Sequence, residues 1–284
     1  MKTVVVTGTT SGIGYETARG VVQRGDHLIA INRSPSKWEQ CCVRLRQELP
    51  HAKISSFVAD LASMQQVRRV CAEVIEKHPI IDILINNAGI YLAQKEMSED
   101  GWEKTFAVNH MAYVAICEGF MDAVQKSKEG RIVQVASRAH WYAKIDVATM
   151  HDPVKYQGQR VYGTSKLCNI LHTRALAKRH PSITVNCLHP GVVQTGFARD
   201  QGGLMGWGFR IMKRFFISAQ QGAETSLFLA YDASVRGKTG GYYASCRLQS
   251  PSKEAQSLAL EEAVWERSIA LLRGVKNEND SMVE

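Results

Sequence analysis

Tyr162-Gly-Thr-Ser-Lys166 sets a phenol and an ammonium four residues apart, inside the helix-patterned run VYGTSKLCNILHTRALAKRH. Residues i and i+4 share one helix face. A fixed positive charge beside a phenol favours the phenolate and lowers its pKa. Such a pair could move a proton on and off an alcohol oxygen near neutral pH. The same spacing recurs at Tyr91-Leu-Ala-Gln-Lys95, and Tyr156 to Arg160 is a near match. Any one such pair has a plainer reading, a half-buried ring beside a solvated amine. Context separates the three. Gly158 inside the Tyr156 interval disfavours a helix, and Tyr91 follows Asn-Ala-Gly where a loop is expected. Tyr162 opens a long segment with apolar residues at Leu167, Ile170, Leu171 and Ala175, a helical stripe.

A second set of residues suits a nucleotide. Thr7-Gly-Thr-Thr-Ser-Gly-Ile-Gly14 lies between an apolar β-branched run and a helical pattern. Gly8, Gly12 and Gly14 let backbone approach a pyrophosphate, with Ser11 and Ile13 between them at the positive end of a helix. The loop is not a P-loop, because no Gly-Lys-Ser/Thr follows. A tight turn is the plainer alternative. The next apolar run ends Ile31-Asn32-Arg33. Selectivity for NAD usually places an acidic residue there for the ribose 2′-hydroxyl. Arg33 instead suits a 2′-phosphate, which favours NADP(H) over NAD(H); a solvated arginine is the alternative. Asp60-Leu61 ends a third run, where a carboxylate could accept from an adenine amino group or cap the helix starting near Ser63. Asn86-Asn87-Ala88-Gly89 ends a fourth, with amides that could tie strands together and touch a cofactor.

These residues need a scaffold that delivers them to one place. Short apolar runs at 2–8, 27–33, 53–61, 81–89, 130–137, 183–191 and 240–245 read as seven strands. Helical patterns occupy 12–23, 37–48, 64–78, 99–126 (interrupted near Asn109), the Tyr162 segment, 218–232 and 254–273. Residues 138–160 read as irregular. Strands alternating with helices imply right-handed βαβ units and a doubly wound, mostly parallel sheet with helices on both faces. Ligands then bind beyond the carboxyl ends of the strands, where Gly8, Arg33, Asp60, Asn87, Ser137 and Pro190 fall. No linker or repeat divides the 284 residues. Residues 1–273 are expected to form one unit, followed by a polar tail at 274–284.

Composition is consistent with this. With 45% hydrophobic and 22% charged residues the chain matches ordinary globular proteins. No stretch reaches the roughly 18 apolar residues of a membrane span, and MKTVVVTG is too short for a secretory signal. A cytoplasmic location is the expectation. The seven cysteines, an odd number without a C-x-x-C, read as reduced core residues. No histidine spacing suggests a metal. The net charge of +8 comes from scattered lysines and arginines, so nucleic acid is not an expected partner.

Taken together, the chain resembles the short-chain dehydrogenase/reductase family from about residue 2 to 245. The residues that carry the resemblance are TGTTSGIG, Asp60-Leu61, NNAG at 86–89, Asn109, Ser137, Tyr162-x-x-x-Lys166, and Pro190-Gly191 with Thr195. GRIVQVASRAH, LHPGVVQT and SAQQGAETSLFLA resemble the retinol-dehydrogenase-like branch. The resemblance implies a Rossmann-type domain. It implies that Tyr162 is the acid/base, that Lys166 lowers its pKa and holds the nicotinamide ribose, that Ser137 steadies the substrate oxygen, and that Asn109 holds a water leading to Lys166. Gly8, Ser11, Gly12, Ile13, Gly14, Arg33, Asp60, Leu61, Asn87, Ala88, Gly89, Tyr162, Lys166, Pro190 and Thr195 would contact the cofactor. The Ser137–Tyr162 interval is longer than is usual for the family, so 138–160 should bulge beside the substrate.

The expected activity is NADP-dependent carbonyl reduction or alcohol oxidation on a fairly apolar small molecule. The loop 196–217, with Met205, Trp207, Phe209, Phe215 and Phe216 among cations, would be the lid. Core packing or a membrane or partner contact are its alternatives. His140 and Trp141 could line the same pocket. A homodimer is an open assembly. The rival functions are a catalytically silent nucleotide-binding sensor or scaffold, and reduction of a carbon–carbon double bond.

Overall fold

The structure, a computed structural model, describes residues 1–191 and 217–275. Its strands are β1 (Thr3–Thr7), β2 (His27–Asn32), β3 (Ile54–Val58), β4 (Ile83–Asn86), β5 (Arg131–Val135), β6 (Thr184–Leu188), β7 (Tyr242–Ala244) and β8 (Arg247–Gln249). They form one sheet in the order β3-β2-β1-β4-β5-β6-β7-β8. β1 through β7 are parallel, whereas β8 runs antiparallel to β7. The order reverses between β1 and β4, which opens a crevice at their carboxyl ends.

The sheet has eight strands where seven were expected. Ser245 and Cys246, at φ 48° and 58°, turn the chain back after β7 in the left-handed geometry of a tight hairpin. β8 is three residues long and fully exposed, so it carries no apolar alternation to betray it.

The helices are α1 (Gly12–Gln23), α2 (Pro35–Glu48), α3 (Met64–Lys77), α4 (Lys104–Phe106), α5 (Ala112–Gln125), α6 (Gly158–Arg179), α7 (Ala219–Tyr231) and α8 (Leu258–Gly274). Central strands are buried on both faces, and alternate residues feed two cores. Val4 and Val6 pack with α1, α2 and α7, including Val21, Leu45 and Leu229. Val5 packs on the other side with α3, α5, α6 and α8, including Val70, Phe120, Leu171 and Val264. Five cysteines, 42, 71, 117, 168 and 187, are buried, and burial pushes the thiols of Cys71, Cys117 and Cys187 up to about 12. They are inert core residues.

Two local features place the site. The expected interruption near Asn109 is a π-helical segment, Ala107–Met111, between α4 and α5. α6 begins at Gly158, earlier than its apolar stripe suggested, and a short 3-10 turn, Arg138–Tyr142, follows β5.

Candidate active site

The glycine loop leaves β1 and enters α1 with no room for a side chain at Gly8 or Gly14. Gly8 has φ +71°, and a Cβ there would lie 2.8 Å from Ala88 Cα. On Gly14 a Cβ would lie 1.9 Å from Gly8 O and 2.5 Å from Asn87 Nδ2. Ser11 is the N-cap of α1 but makes no side-chain cap bond, and no acidic residue stands in the first turn. The amides there stay available to an anion, favoured by the helix dipole. A cradle of this shape and polarity fits a pyrophosphate, with Gly8, Ser11, Gly12, Ile13 and Gly14 around it.

Neighbouring strands hold the cradle. Asn32 is buried; its Oδ1 accepts from Thr9 N at 2.7 Å, and its Nδ2 donates to Thr9 Oγ1 at 2.8 Å. Arg33, next in sequence, is exposed. Asn87 Nδ2 donates to the carbonyls of Thr7 (2.9 Å) and Gly8 (3.1 Å). Thr7 Oγ1 accepts from the amides of Asn87 and Ala88, both at 3.0 Å. Sequence reading passed over Thr7 and Asn32 because their roles exist only across strand pairs. Asp60 does not cap α3. Ser63 does so, accepting from Gln66 N at 3.3 Å, while Asp60 Oδ1 accepts from Ala62 N at 3.0 Å. Leu61 is buried in the core, and Gly89 and Pro190 lie at the carboxyl-end edge of the sheet. Thr195 and the expected lid through residue 216 lie outside the described residues, as does the expected tail beyond Val275.

Tyr162, on the first turns of α6, is hydrogen-bonded to Ser137, which lies two residues beyond β5 and also accepts from Ala139 N at 3.1 Å. Lys166, one turn on, is 3% exposed. Its ammonium donates to Val135 O at 2.9 Å and stands 5.8 Å from the Tyr162 ring centroid. Asn109 enters from the π-helical segment. Its Oδ1 accepts from Ile90 N at 2.7 Å, and its Nδ2 donates to Ile90 O at 2.9 Å. A Cβ on Gly89 would lie 3.3 Å from Asn109 Oδ1 and 3.4 Å from Lys166 Nζ, so both groups converge there. The structure thus gathers Asn109, Ser137, Tyr162 and Lys166 at one end of the sheet, next to the glycine cradle.

The electrostatics depart from expectation. Burial holds the Tyr162 phenol above its ordinary value, with the Ser137 hydrogen bond acting the other way. Burial also pushes Lys166 down to about 7. In the protein alone, desolvation sets the direction for the phenol, opposite to the lowering that the Lys166 spacing predicts. Asn109 is also held structurally: its side chain is committed to Ile90 and its carbonyl accepts from Asn169 Nδ2 at 2.8 Å, which leaves that oxygen a second lone pair for a water.

Two of the neighbours differ from their sequence reading. His140 is buried rather than lining a pocket. Its Nδ1 donates to Ser137 O at 2.7 Å, leaving Nε2 to accept from Ser252 N at 3.1 Å. Tyr91, the rejected rival, packs edge-on against Tyr162 with ring centroids 6.2 Å apart. It is a wall of the site, and nothing in its local pattern could have shown that. Trp141 is 53% exposed.

The family model for short chain dehydrogenases matches residues 2–203. Short-chain dehydrogenase TIC 32 A, chloroplastic, from Brassica napus is 33% identical, over 96% of this chain and 89% of its own. Mouse retinol dehydrogenase 14 is 33% identical, over 94% of this chain and 84% of its own. Among solved structures, a putative NAD(P)-dependent gluconate 5-dehydrogenase from Beutenbergia cavernae, with bound NADP, superposes with a TM-score of 0.70. It is 26% identical, over 86% of this chain and 94% of its own. An uncharacterised protein from Mycobacterium paratuberculosis reaches a TM-score of 0.77 at 26% identity, over 96% and 94%. Sheet order, glycine cradle and sequence likeness agree, and the chain belongs to the short-chain dehydrogenase/reductase family of oxidoreductases, on its retinol-dehydrogenase-like branch.

Proposed function

We propose that the protein is an NADP(H)-dependent oxidoreductase acting on a fairly apolar ketone, aldehyde or alcohol, with Tyr162 as acid/base. The observation that carries this reading is the grouping of Tyr162, Ser137 and Lys166 at the carboxyl end of β5, beside the glycine cradle. The nicotinamide, when bound, supplies or accepts the hydride. The chain's own residues handle the oxygen and its proton. Ser137 would hold the substrate oxygen and steady the charge that develops on it. Tyr162, kept protonated by burial, would donate its proton to that oxygen during reduction. Alcohol oxidation needs the phenolate, which a protonated Lys166 favours. Gly8, Ser11, Gly12, Ile13 and Gly14 would hold the pyrophosphate, Asp60, Asn87 and Ala88 the adenosine half and its connection, and Pro190 and Thr195 the nicotinamide end.

Support for NADP over NAD comes from the exposed Arg33 where an acidic residue would serve NAD, and from NADP(H)-bound neighbours at 26–27% identity. Support for an apolar substrate comes from the composition of 196–217 and from relatives named retinol dehydrogenases. The test is NADPH oxidation by the full chain across a panel of aliphatic and aromatic aldehydes and ketones. Tyr162→Phe should lower kcat about 10²–10⁴-fold while NADPH affinity stays within a few-fold. Undiminished turnover in that variant would refute the assignment. Deuterium from labelled NADPH appearing on a saturated carbon of a former double bond, rather than on a carbinol carbon, would move the chemistry to double-bond reduction. Tight NADPH binding without turnover of any substrate would favour the sensor reading.

A further inference from the structure

The π-helical segment that presents Asn109 is wired to the C-terminal helix. Asn169, three residues beyond Lys166 on α6, donates from Nδ2 to Asn109 O at 2.8 Å. Its Oδ1 lies 3.1 Å from His110 Nδ1, and His110 Nε2 lies 2.8 Å from Ser268 Oγ on α8. Asn109, His110, Asn169 and Ser268 are all 0% exposed. The direction of every bond follows from the first. Asn109 O can only accept, so the Asn169 amide nitrogen faces it and the amide oxygen faces His110. His110 Nδ1 must then carry the hydrogen, and Nε2 accepts from the Ser268 hydroxyl. Burial pushes His110 down to about 4, with the Lys166 charge acting the same way, so the imidazole is neutral at neutral pH. The chain is therefore a fixed brace and not a proton path.

The brace ends where it matters. Fixing the Asn109 backbone fixes its side chain on Ile90, and Asn109 Oδ1 and Lys166 Nζ meet at Gly89. The other groups facing Lys166 are the Tyr113 and Tyr162 rings and the Val135 carbonyl. We propose that Ser268, His110 and Asn169 are positioning residues, a one-way buried hydrogen-bond chain through which α8 sets the Asn109 segment and the surroundings of Lys166. This rests on Asn109 and Lys166 belonging to the active site. Docking of α8 does not depend on the chain, since Val264, Ile269 and Leu272 bury in the core and Glu261 pairs with Arg174 and Lys178. Removing one hydroxyl should thus disturb the brace and leave the helix in place.

The experiment compares Ser268→Ala, Ser268→Thr and Asn169→Leu in the full chain. Lys166 is titrated by NMR with 13C-labelled lysine, its signal assigned by loss in Lys166→Met. Loosening Asn109 admits water beside Lys166, so its midpoint should rise toward the ordinary lysine value by half a pH unit or more in Ser268→Ala and Asn169→Leu. Ser268→Thr, which keeps the hydroxyl, should restore the wild-type midpoint. With a turnover assay in hand, kcat should fall several-fold in the two disrupted variants while the NADPH dissociation constant stays within twofold. A lowered melting temperature with an unmoved Lys166 midpoint in Ser268→Ala overturns the proposal, because that is what a merely structural chain would give. Should Asn169→Leu fail to fold, Ser268→Ala and Ser268→Thr decide alone. The titration needs no substrate, so an inactive wild-type protein would sink the oxidoreductase reading and leave this test standing.

Discussion

Gly14→Ala is the sharpest probe of the cradle, because local and tertiary effects oppose each other. In a helix interior, alanine is favoured over glycine by about 1 kcal/mol. The structure predicts a loss instead. The added methyl would stand 1.9 Å from Gly8 O. A carbon–oxygen contact settles near 3.3 Å, so the two must part by about 1.4 Å. Gly8 is tied on both sides, its N–H to Ile31 O at 2.9 Å and its carbonyl to Asn87 Nδ2 at 3.1 Å. Giving way loosens both bonds, each worth about 0.5–1.5 kcal/mol net, on top of an overpacking cost of about 1–3 kcal/mol. After the helix gain of about 1 kcal/mol, the net loss is about 3 kcal/mol. At roughly 2–4 °C per kcal/mol, the melting temperature should fall by about 6–12 °C. NADPH affinity, read by fluorescence titration, should fall at least tenfold, since the loop that moves is the loop that binds. Gly274→Ala, with open space around its Cα, serves as the control: it should leave NADPH affinity unchanged and should not lower the melting temperature, since helical alanine is favoured there. A Gly14→Ala protein with wild-type melting and wild-type NADPH affinity would refute the packing of the loop and its role together.

Two further outcomes follow from single groups. Arg33→Ala should weaken NADP binding by roughly 10–100-fold, the worth of one charged hydrogen bond of about 1.5–3 kcal/mol, and leave NAD binding unchanged; equal losses for both would mean Arg33 does not read the 2′-phosphate. Lys166 is held near 7 in the folded chain, so between about pH 7 and 10 the unfolded state binds more protons and stability rises with pH. The wild-type melting temperature should accordingly gain on that of Lys166→Met across this window. A pH-independent difference would show that the lysine is not desolvated.

Much of the architecture could be read from the chain. Short β-branched runs ended by glycine or asparagine, alternating with helical stripes, specify parallel strands covered on both sides. That pattern located β1 to β7, and the helix break near Asn109 was visible because a polar amide followed by histidine interrupts an apolar run. The motifs at Gly8–Gly14, Asn87, Ser137 and Tyr162–Lys166 were legible for the same reason, as each is local in sequence. β8 was not, being short, exposed and set by a two-residue turn.

What the tertiary structure decided lies between elements. Spacing alone put a cation beside a phenol, but the sign of the phenol's shift depends on how much water remains, and burial raises it. Asp60 turned to the Ala62 amide and left the cap to Ser63, and His140 turned inward because Ser252, from a distant segment, donates to its Nε2. Tyr91 joined Tyr162 only through the meeting of the β4 edge with α6. The chain order of residue types thus determined which groups arrive at the crevice. Desolvation and cross-strand hydrogen bonding, which exist only once the sheet and α8 have closed around them, determined their charge and their aim.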